Sequence, residues 1–148
     1  MAGDDRKIIG RNRRALHDYA VFEKYQCGIV LKGSEVKSLR EGRATLSDAY
    51  GEVRDGEVWL VDCHISEYPQ ASIFNHKPKR NRKLLLRRQE IKKLYARVNE
   101  KGFTLIPLSI YFLNGLAKVE LAVCRGKRKY EKRETIKKKE IKREIKRG

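Results

Sequence analysis

Hydrophobic and polar residues alternate along much of the chain, and this alternation is typical of half-buried β-strands. The first such segment runs from Tyr19 to Leu31, where aromatic and β-branched residues predict a strand and Gly28 predicts a bulge or bend within it. A shorter extended segment, residues 65–74, contains Pro69. Because proline cannot donate a backbone hydrogen bond, we expect this segment to be an edge strand.

Two β-hairpins are predicted from their turn sequences. In each, Asp-Gly or Asn-Gly stands between two alternating segments, and these pairs favour two-residue turns in which both residues have positive φ. The first hairpin joins residues 49–54 to residues 57–63 through Asp55-Gly56, and the second joins Phe103–Leu113 to residues 116–124 through Asn114-Gly115. Since hairpins connect most of the strands, the pattern favours a mainly β fold over a parallel sheet.

Two segments have helical spacing instead. Ser34 is placed as the N-cap of a short helix that ends at Glu41-Gly42. The clearer helix covers residues 89–101 and stops at Gly102. Its apolar positions, at i, i+3, i+4 and i+7, are Ile91, Leu94, Tyr95 and Val98. Together the elements predict a small Greek-key β-barrel of the oligonucleotide-binding type, with about six strands and two or three capping helices.

The positive charge is concentrated in two segments. The 148 residues include 36 Lys and Arg against 19 Asp and Glu, a formal charge of +17. Residues 125–148 hold 13 basic and 4 acidic groups, residues 77–88 hold seven basic and no acidic ones, and the remainder is close to neutral. Like charges at this density repel one another unless a polyanion neutralises them, so RNA or DNA is the expected partner. A solvated loop with a solubilising tail, or an anionic membrane, is the alternative; the tail has no Trp, Phe or Leu to insert.

The ends of the chain are predicted to differ from the barrel. Residues 1–15 are polar and basic, and we expect a mobile arm. Residues 125–148 have too few apolar side chains to order alone, yet ion pairs of helical spacing, such as Glu134 with Lys138, favour a helix on a negatively charged surface. We therefore expect a folded domain over residues 1–124 and a basic tail over residues 125–148.

The sequence contains no pattern typical of a catalytic or metal site. Cys27, Cys63 and Cys124 are too widely spaced for a zinc site or a disulfide framework and are predicted to be reduced core thiols. The three histidines lack metal-binding spacing, and no cofactor site is predicted. No segment is apolar for long enough to span a membrane or to act as a signal peptide, so we expect a cytoplasmic protein without membrane contact.

Several strings resemble SmpB, the SsrA (tmRNA)-binding protein family. They occur in the family's order at residues 12–19, 31–40, 82–86, 101–108, 111–112 and 126–133. The resemblance implies an oligonucleotide-binding-type barrel that binds the tRNA-like domain of tmRNA and delivers it to stalled ribosomes. It also implies a non-enzymatic role in trans-translation, and we expect a monomer without cofactors. A structural ribosomal protein and an RNA-modifying enzyme are the alternative hypotheses.

The resemblance implies a set of RNA contacts on the barrel. The matching positions are Asn12, Gln26, Arg40, Lys83 and Leu85, and the basic residues Arg13, Lys37, Lys79, Arg80 and Arg82 complete the predicted surface. Cations suit phosphates, Asn suits a base edge or 2′-OH, and an exposed Leu suits an unstacked base. Leu85 is equally compatible with the core, and Asn12 with a turn cap. Gln26 departs from the family's usual Glu.

The resemblance also gives the tail a role in the ribosome. In the family it enters the decoding centre and the empty mRNA channel, where it becomes helical. Gly126 would be a hinge, with Tyr130 stacking on ribosomal RNA. The predicted tail contacts are Lys127, Arg128, Tyr130, Glu131, Lys132, Arg133, Lys137 and Lys138.

Overall fold

Strands dominate the fold in a computed structural model that describes residues 6–100 and 102–127. The strands are β1 (Arg6–Arg11), β2 (Tyr19–Ile29), β3 (Ala44–Thr45), β4 (Tyr50–Arg54), β5 (Glu57–Val61), β6 (His64–Ile65), β7 (Arg82–Leu85), β8 (Phe103–Leu113) and β9 (Leu116–Gly126). The helices are α1 (Ala15–Asp18), α2 (Gly33–Arg40) and α3 (Arg88–Val98), with a 3₁₀ helix at Pro69–Phe74. The prediction of a mainly β chain with two or three α-helices is confirmed.

Six antiparallel strands close into a ring. Their order is β8-β4-β5-β7-β2-β9, and β9 pairs again with β8. At the closure Gly51 of β4 lies opposite Leu105 of β8, where a Cβ on Gly51 would come 2.8 Å from the Leu105 Cβ. Only glycine allows the two backbones to meet there, so this residue is required for the ring. The predicted barrel is therefore present.

The core fills the ring and is covered by helices. Alternate residues of β9, namely Val119, Leu121 and Val123, are buried inside, as the alternation predicted. From the helices, Leu39 of α2 and Leu94 of α3 are completely buried in the same cluster. Both predicted hairpins are confirmed, and all four of their turn residues have positive φ.

The N-terminal arm is a correction to the sequence-based prediction. Residues Arg6–Arg11 form β1, which pairs with Ser109–Leu113 on the edge of β8. β4 pairs with β8 at Leu105 and does not extend to Ser109–Leu113. The backbone groups on that edge of β8 therefore need another partner, which β1 supplies. β1 was missed because backbone hydrogen bonds hold it, while its own side chains are mostly exposed.

Three local predictions in β2, α2 and the following segment are also corrected. The bulge in β2 lies between Val21 and Glu23, whereas Gly28 pairs normally with its neighbours on both sides. Ser34 is not the N-cap of α2: it lies inside the helix, and its hydroxyl is hydrogen-bonded to His76 at 2.8 Å. The segment 65–74 is not an edge strand, because only β6 is extended and the 3₁₀ helix follows.

The end of α3 differs slightly from the prediction. The helix ends at Val98 rather than continuing to the glycine stop. Gly102 does have a positive φ of 90°, but it belongs to the loop that turns into β8. The helix itself is confirmed, and its N-terminus is satisfied by Glu90, whose carboxylate accepts a hydrogen bond from the Arg87 backbone N–H at 3.0 Å.

The three cysteines are free and buried, so we expect them to be unreactive in the folded protein. Burial raises the pKa of Cys27 to about 12 and the pKa values of Cys63 and Cys124 to about 11. Because the thiolate is the reactive form, an aromatic disulfide reagent at pH 8 should label none of them before unfolding and all three in denaturant. Rapid labelling of the native protein would contradict this expectation.

Candidate nucleic-acid interface

Three predicted RNA contacts share the outer face of the barrel. Leu85 of β7 lies opposite Gly28 of β2, and Gly28 lies opposite Lys118 of β9, so these residues form one row across the strands. Lys83 and Gln26 are each two residues from that row and point to the same side. The alternate residues Cys27, Leu84 and Val119 are buried in the core. The register therefore brings together side chains that are far apart in sequence.

Leu85 projects outward rather than into the core. Its side chain is 51% exposed, whereas Leu84 is 1% exposed and takes the core position. A Cβ on Gly28 would lie 3.2 Å from the Leu85 Cβ, so the missing side chain at Gly28 leaves room for Leu85 on the outer face. Of the two interpretations left open by the sequence, the geometry favours the exposed one.

Lys83 lies in the same strand and is paired with an acid. Its Nζ is 2.6 Å from the Glu57 Oε1, with both side chains about two-fifths exposed. A surface pair of this kind contributes little to stability. The ammonium group is therefore held in place but remains accessible to a phosphate.

Gln26 is held by two donors from β1 and β8, strands that do not pair with β2. Its Oε1 accepts hydrogen bonds from the Tyr111 hydroxyl at 2.8 Å and from Arg6 Nη2 at 3.4 Å. The Arg6 guanidinium also lies 4.4 Å from the centroid of the Tyr111 ring. Because arginine only donates, the amide oxygen must face Arg6, and the Gln26 amide nitrogen remains as a donor. Arg6 was missed because β1 was predicted as a mobile arm.

A groove lies beside Leu85, between the β4–β5 turn, β7 and α3. Its volume is about 1020 Å³, and its lining includes Lys83, Leu85, Arg88, Lys92 and Tyr95. Tyr95 was predicted on the apolar face of α3, but it is 58% exposed. Helix α3 is oriented about its axis so that Leu94 points into the core. Tyr95 therefore lies at the edge of the apolar stripe, where it is partly exposed to solvent.

A second basic region lies on α2 and the loop before β7. Lys37, Arg40 and Lys79 are exposed, as is Arg13 in the segment between β1 and α1. Lys37 Nζ lies 5.6 Å from the centroid of the Tyr68 ring, which places α2 against the segment preceding the 3₁₀ helix. These cations are free to meet phosphates at the surface.

Arg82 is a correction to the predicted RNA surface. The side chain has no exposed area, and its Nε donates to the Glu35 carboxylate. Its other nitrogens donate to the backbone oxygens of Cys63 at 2.7 Å and Pro78 at 3.0 Å. Arg82 therefore holds the loop to the barrel and cannot reach RNA. Sequence reasoning missed this because a buried arginine in a basic run has the same local pattern as an exposed one.

Arg80 and Glu35 complete this buried ion cluster. Arg80 Nη2 donates to Glu35 Oε1 at 2.6 Å, and the Lys32 backbone N–H donates to the same oxygen at 2.7 Å. Burial acts to raise the pKa of Glu35, but the hydrogen bonds from Arg80 and Lys32 and the charge of Arg82 outweigh it and hold that pKa below its usual value. Arg80 and Arg82 thus share one ionised carboxylate.

Asn12 is buried at the end of β1. Its Nδ2 donates to the backbone oxygens of Leu46 at 3.3 Å and Pro107 at 3.2 Å. The backbone oxygen of Asn12 accepts a hydrogen bond from the Ala15 N–H at 3.2 Å, at the start of α1. This is the geometry of a structural cross-link between β8 and the loop after β3.

The start of the tail is hydrogen-bonded to α1. Gly126 ends β9 opposite Tyr19, and the Lys127 backbone N–H donates to the backbone oxygen of Asp18 at 2.8 Å. Lys127 Nζ also donates to the Leu16 oxygen at 2.6 Å. The remaining predicted tail contacts lie outside the described residues: Arg128, Tyr130, Glu131, Lys132, Arg133, Lys137 and Lys138.

Neither a metal cluster nor a membrane helix is found in the described part of the chain. No three His, Cys, Asp or Glu side chains within residues 6–100 and 102–127 come together as metal ligands. No helix in these ranges is both long and apolar enough to cross a bilayer. The outer face and the groove beside it expose cations, Leu85 and Tyr95, which are groups suited to RNA.

Comparison with known proteins gives one consistent result. The family model for SmpB protein matches residues 9–148. The SsrA-binding protein of Sulfurihydrogenibium sp. (strain YO3AOP1) is 56% identical over 139 residues, which cover 94% of this chain and 91% of that protein. The SsrA-binding protein of Treponema denticola is 55% identical over 141 residues, or 95% and 92% of the two chains.

A solved structure shows the same fold. In "tmRNA-SmpB: a journey to the center of the bacterial ribosome", one chain superimposes with a TM-score of 0.68 at 42% identity. The match covers 91% of this chain and 95% of that one. With the family model and the relatives, this shows that the chain belongs to the SmpB family.

Proposed function

We propose that this chain is a non-enzymatic RNA-binding adaptor of trans-translation. It binds the tRNA-like domain of tmRNA and delivers it to stalled ribosomes. The observation that carries the proposal is the outer face on which Gln26, Lys83 and Leu85 stand together in a member of the SmpB family. Its relatives are named for binding SsrA RNA, and the matching structure is named for tmRNA, SmpB and the ribosome. We expect the protein to act as a monomer in the cytoplasm, where ribosomes are.

The barrel face supplies recognition of the RNA. Leu85 packs against an unstacked base, the Gln26 amide donates to the RNA, and Lys83 meets a phosphate. The exposed cations Arg13, Lys37, Arg40 and Lys79 add phosphate contacts around this face. Arg80 and Arg82 support the surface from within, since both are bound to Glu35.

The C-terminal segment supplies a second function. We assign residues 1–124 to tmRNA binding and residues 125–148 to the ribosome, where the tail occupies the decoding centre and the empty mRNA channel. The separation of charge supports this division, because the tail carries nine of the 17 net charges. Two basic segments on one small protein suit two different RNA surfaces.

The RNA recovered with the native protein tests the proposal most directly. We expect one dominant species, tmRNA, when the protein is purified from its own cells at moderate salt. A mixture of ribosomal RNAs, together with retention on salt-washed subunits that lack tmRNA, would instead indicate a structural ribosomal protein.

Leu85→Ala is expected to weaken binding to the tRNA-like RNA by about tenfold, because it removes apolar surface buried against an unstacked base, worth about 1–2 kcal/mol. The affinity is measured by titration calorimetry at one fixed salt concentration. Leu116→Ala is the matched control, since Leu116 is 64% exposed at the tip of the β8–β9 hairpin. Equal affinities for the two variants would show that Leu85 is not a contact.

A further inference from the structure

The groove beside Leu85 has room for a ligand that none of the predicted contacts describes. It is bounded by β7 on one side, by the β4–β5 turn on another and by α3 on the third. Its volume of about 1020 Å³ lies at the upper end of the range for small-ligand sites. Leu84, Leu86 and Ile91 give it an apolar floor. An aromatic ring and several charges stand on its walls.

Tyr95 supplies a flat apolar surface at this groove. The residue lies one helical turn after Ile91, which packs against the core, so the Tyr95 side chain sits directly beside the floor. More than half of it is exposed. Such a ring at the rim of an open groove is a platform on which a planar group can stack.

The charges of the groove are separated by sign. Arg88 and Lys92 lie at i and i+4 on the exposed side of α3. Asp55 and Glu57 line the opposite wall, where Glu57 is bound by Lys83 at 2.6 Å. A phosphate is attracted by the helix side and repelled by the turn side. A base edge that carries N–H donors has the opposite preference, because carboxylates accept hydrogen bonds.

We propose that this groove binds one unstacked nucleotide of the tRNA-like RNA. The base stacks on Tyr95 and packs against Leu85, its N–H edge faces Asp55 and Glu57, and its phosphates face Arg88 and Lys92. This inference rests on the proposed function, because it names the part of the RNA that occupies the groove. Its new content is the assignment of Tyr95, Arg88 and Lys92 to recognition.

An unstacked nucleotide fits better than other occupants of an amphipathic groove. An aromatic platform combined with cations is the arrangement by which proteins hold single-stranded nucleic acid. The groove is also continuous with the outer face, since Lys83 and Leu85 belong to both. A ligand on that face therefore reaches the groove without a second docking event.

The test compares three substitutions of Tyr95 for binding to the isolated tRNA-like domain. Tyr95→Ala is expected to weaken binding by about tenfold or more, from the loss of base stacking, and Tyr95→Phe by less than about twofold because the ring remains. Tyr95→Leu keeps apolar volume without a π face and should lose most of the affinity. Tyr50→Ala, at the far end of β4 and also partly exposed, is the matched control and should bind normally.

Two further measurements identify the ligand chemistry. Arg88→Ala and Lys92→Ala should each lower the slope of log affinity against log salt by about one. A single-strand-specific reagent should leave one unpaired base unmodified in the wild-type complex and modify it in the Tyr95→Ala complex. Melting temperatures within a few degrees of the wild type would show that each variant is folded.

The outcomes separate this inference from the proposed function. If Leu85→Ala weakens binding but Tyr95→Ala does not, the groove is empty in the complex and the inference is wrong. Equal losses for Tyr95→Phe and Tyr95→Ala would also overturn it, because stacking would then not be the contact. If the wild-type chain itself fails to bind the tRNA-like RNA, the proposed function is overturned and the inference with it.

Discussion

Deletion of residues 128–148 is expected to abolish tagging on stalled ribosomes while changing the affinity for the tRNA-like RNA by no more than about threefold. The deleted segment holds 11 basic and four acidic residues, which we assign to ribosomal RNA. The proposed barrel contacts with tmRNA lie elsewhere, on β2, β7 and α2, so only non-specific attraction by the tail should be lost from RNA binding. Tagging is measured in a reconstituted translation system programmed with a message that lacks a stop codon.

The end point of the truncation matters because of Lys127. Its backbone and side chain donate hydrogen bonds to Asp18 and Leu16, so a truncation that removes it also loosens α1. A chain that ends at Lys127 keeps these bonds and isolates the effect of the tail. Comparable tagging by this chain and by the full chain would contradict the assignment of the tail to the ribosome.

Within the tail, three substitutions give a finer test. Tyr130, Lys132 and Arg133 are proposed to contact ribosomal RNA by stacking and through phosphates. Changing all three to Ala should reduce tagging strongly with tmRNA binding unchanged. Changing Lys142 and Arg143 to Ala removes the same two positive charges farther along the tail and serves as the charge-matched control. Equal defects in the two sets would indicate a general charge effect instead of specific contacts.

Glu35→Ala is expected to lower the free energy of unfolding by about 3–5 kcal/mol, because it leaves the guanidinium of Arg82 buried without its counter-ion. Arg80 loses its partner as well, so the segment before β7 keeps the Ser34–His76 hydrogen bond to α2 but loses its ion pairs with the helix. Glu41→Ala is the control: the Glu41 carboxylate forms an exposed pair with Arg43 at 3.2 Å, and the loss of this pair should cost less than about 1 kcal/mol. Urea denaturation followed by circular dichroism measures both values.

The difference in unfolding free energy between the wild type and Glu35→Ala should depend on pH with a definite sign. The pKa of Glu35 is lowered on folding from its ordinary value of 4.5, so the ionised carboxylate stabilises the folded state at pH values above 4.5. That contribution is lost as the pH falls through the lower pKa of the folded state. The stability gap between wild type and Glu35→Ala should therefore be widest near neutral pH and shrink in acid. A gap that stays constant down to the acid transition would show that the carboxylate charge does not stabilise the fold.

The hairpins, α3 and the family could be predicted from the sequence because their signals are local. Asp55-Gly56 and Asn114-Gly115 specify turns by their own backbone preferences, whatever surrounds them. The alternation on both sides then defines which residues enter the core. The motifs of the family are likewise continuous strings, and the two basic segments are visible from composition.

The candidate site was only partly predictable, because its residues meet through strand register. Gln26 and Leu85 were implied by resemblance, but their common face depends on the pairing of β2 with β7. Whether Leu84 or Leu85 enters the core is a matter of one residue of register, which composition does not specify. Tyr95 has the spacing of a core residue and is exposed because the helix is rotated toward Leu94.

Charge and order at the ends of the barrel depend on contacts between distant residues. Arg82 belongs to a basic run that is typical of an RNA-binding loop. It is nevertheless buried, because its guanidinium pairs with Glu35, 47 residues earlier in the chain. Arg6–Arg11 has little strand pattern of its own and becomes β1 because the edge of β8 offers unpaired backbone groups. The sequence by itself thus determines the turns, the strands with alternating patterns and the amount of charge, because these depend on local residues. Pairing between distant residues determines which cations are buried in ion pairs and which remain on the surface, where RNA can reach them.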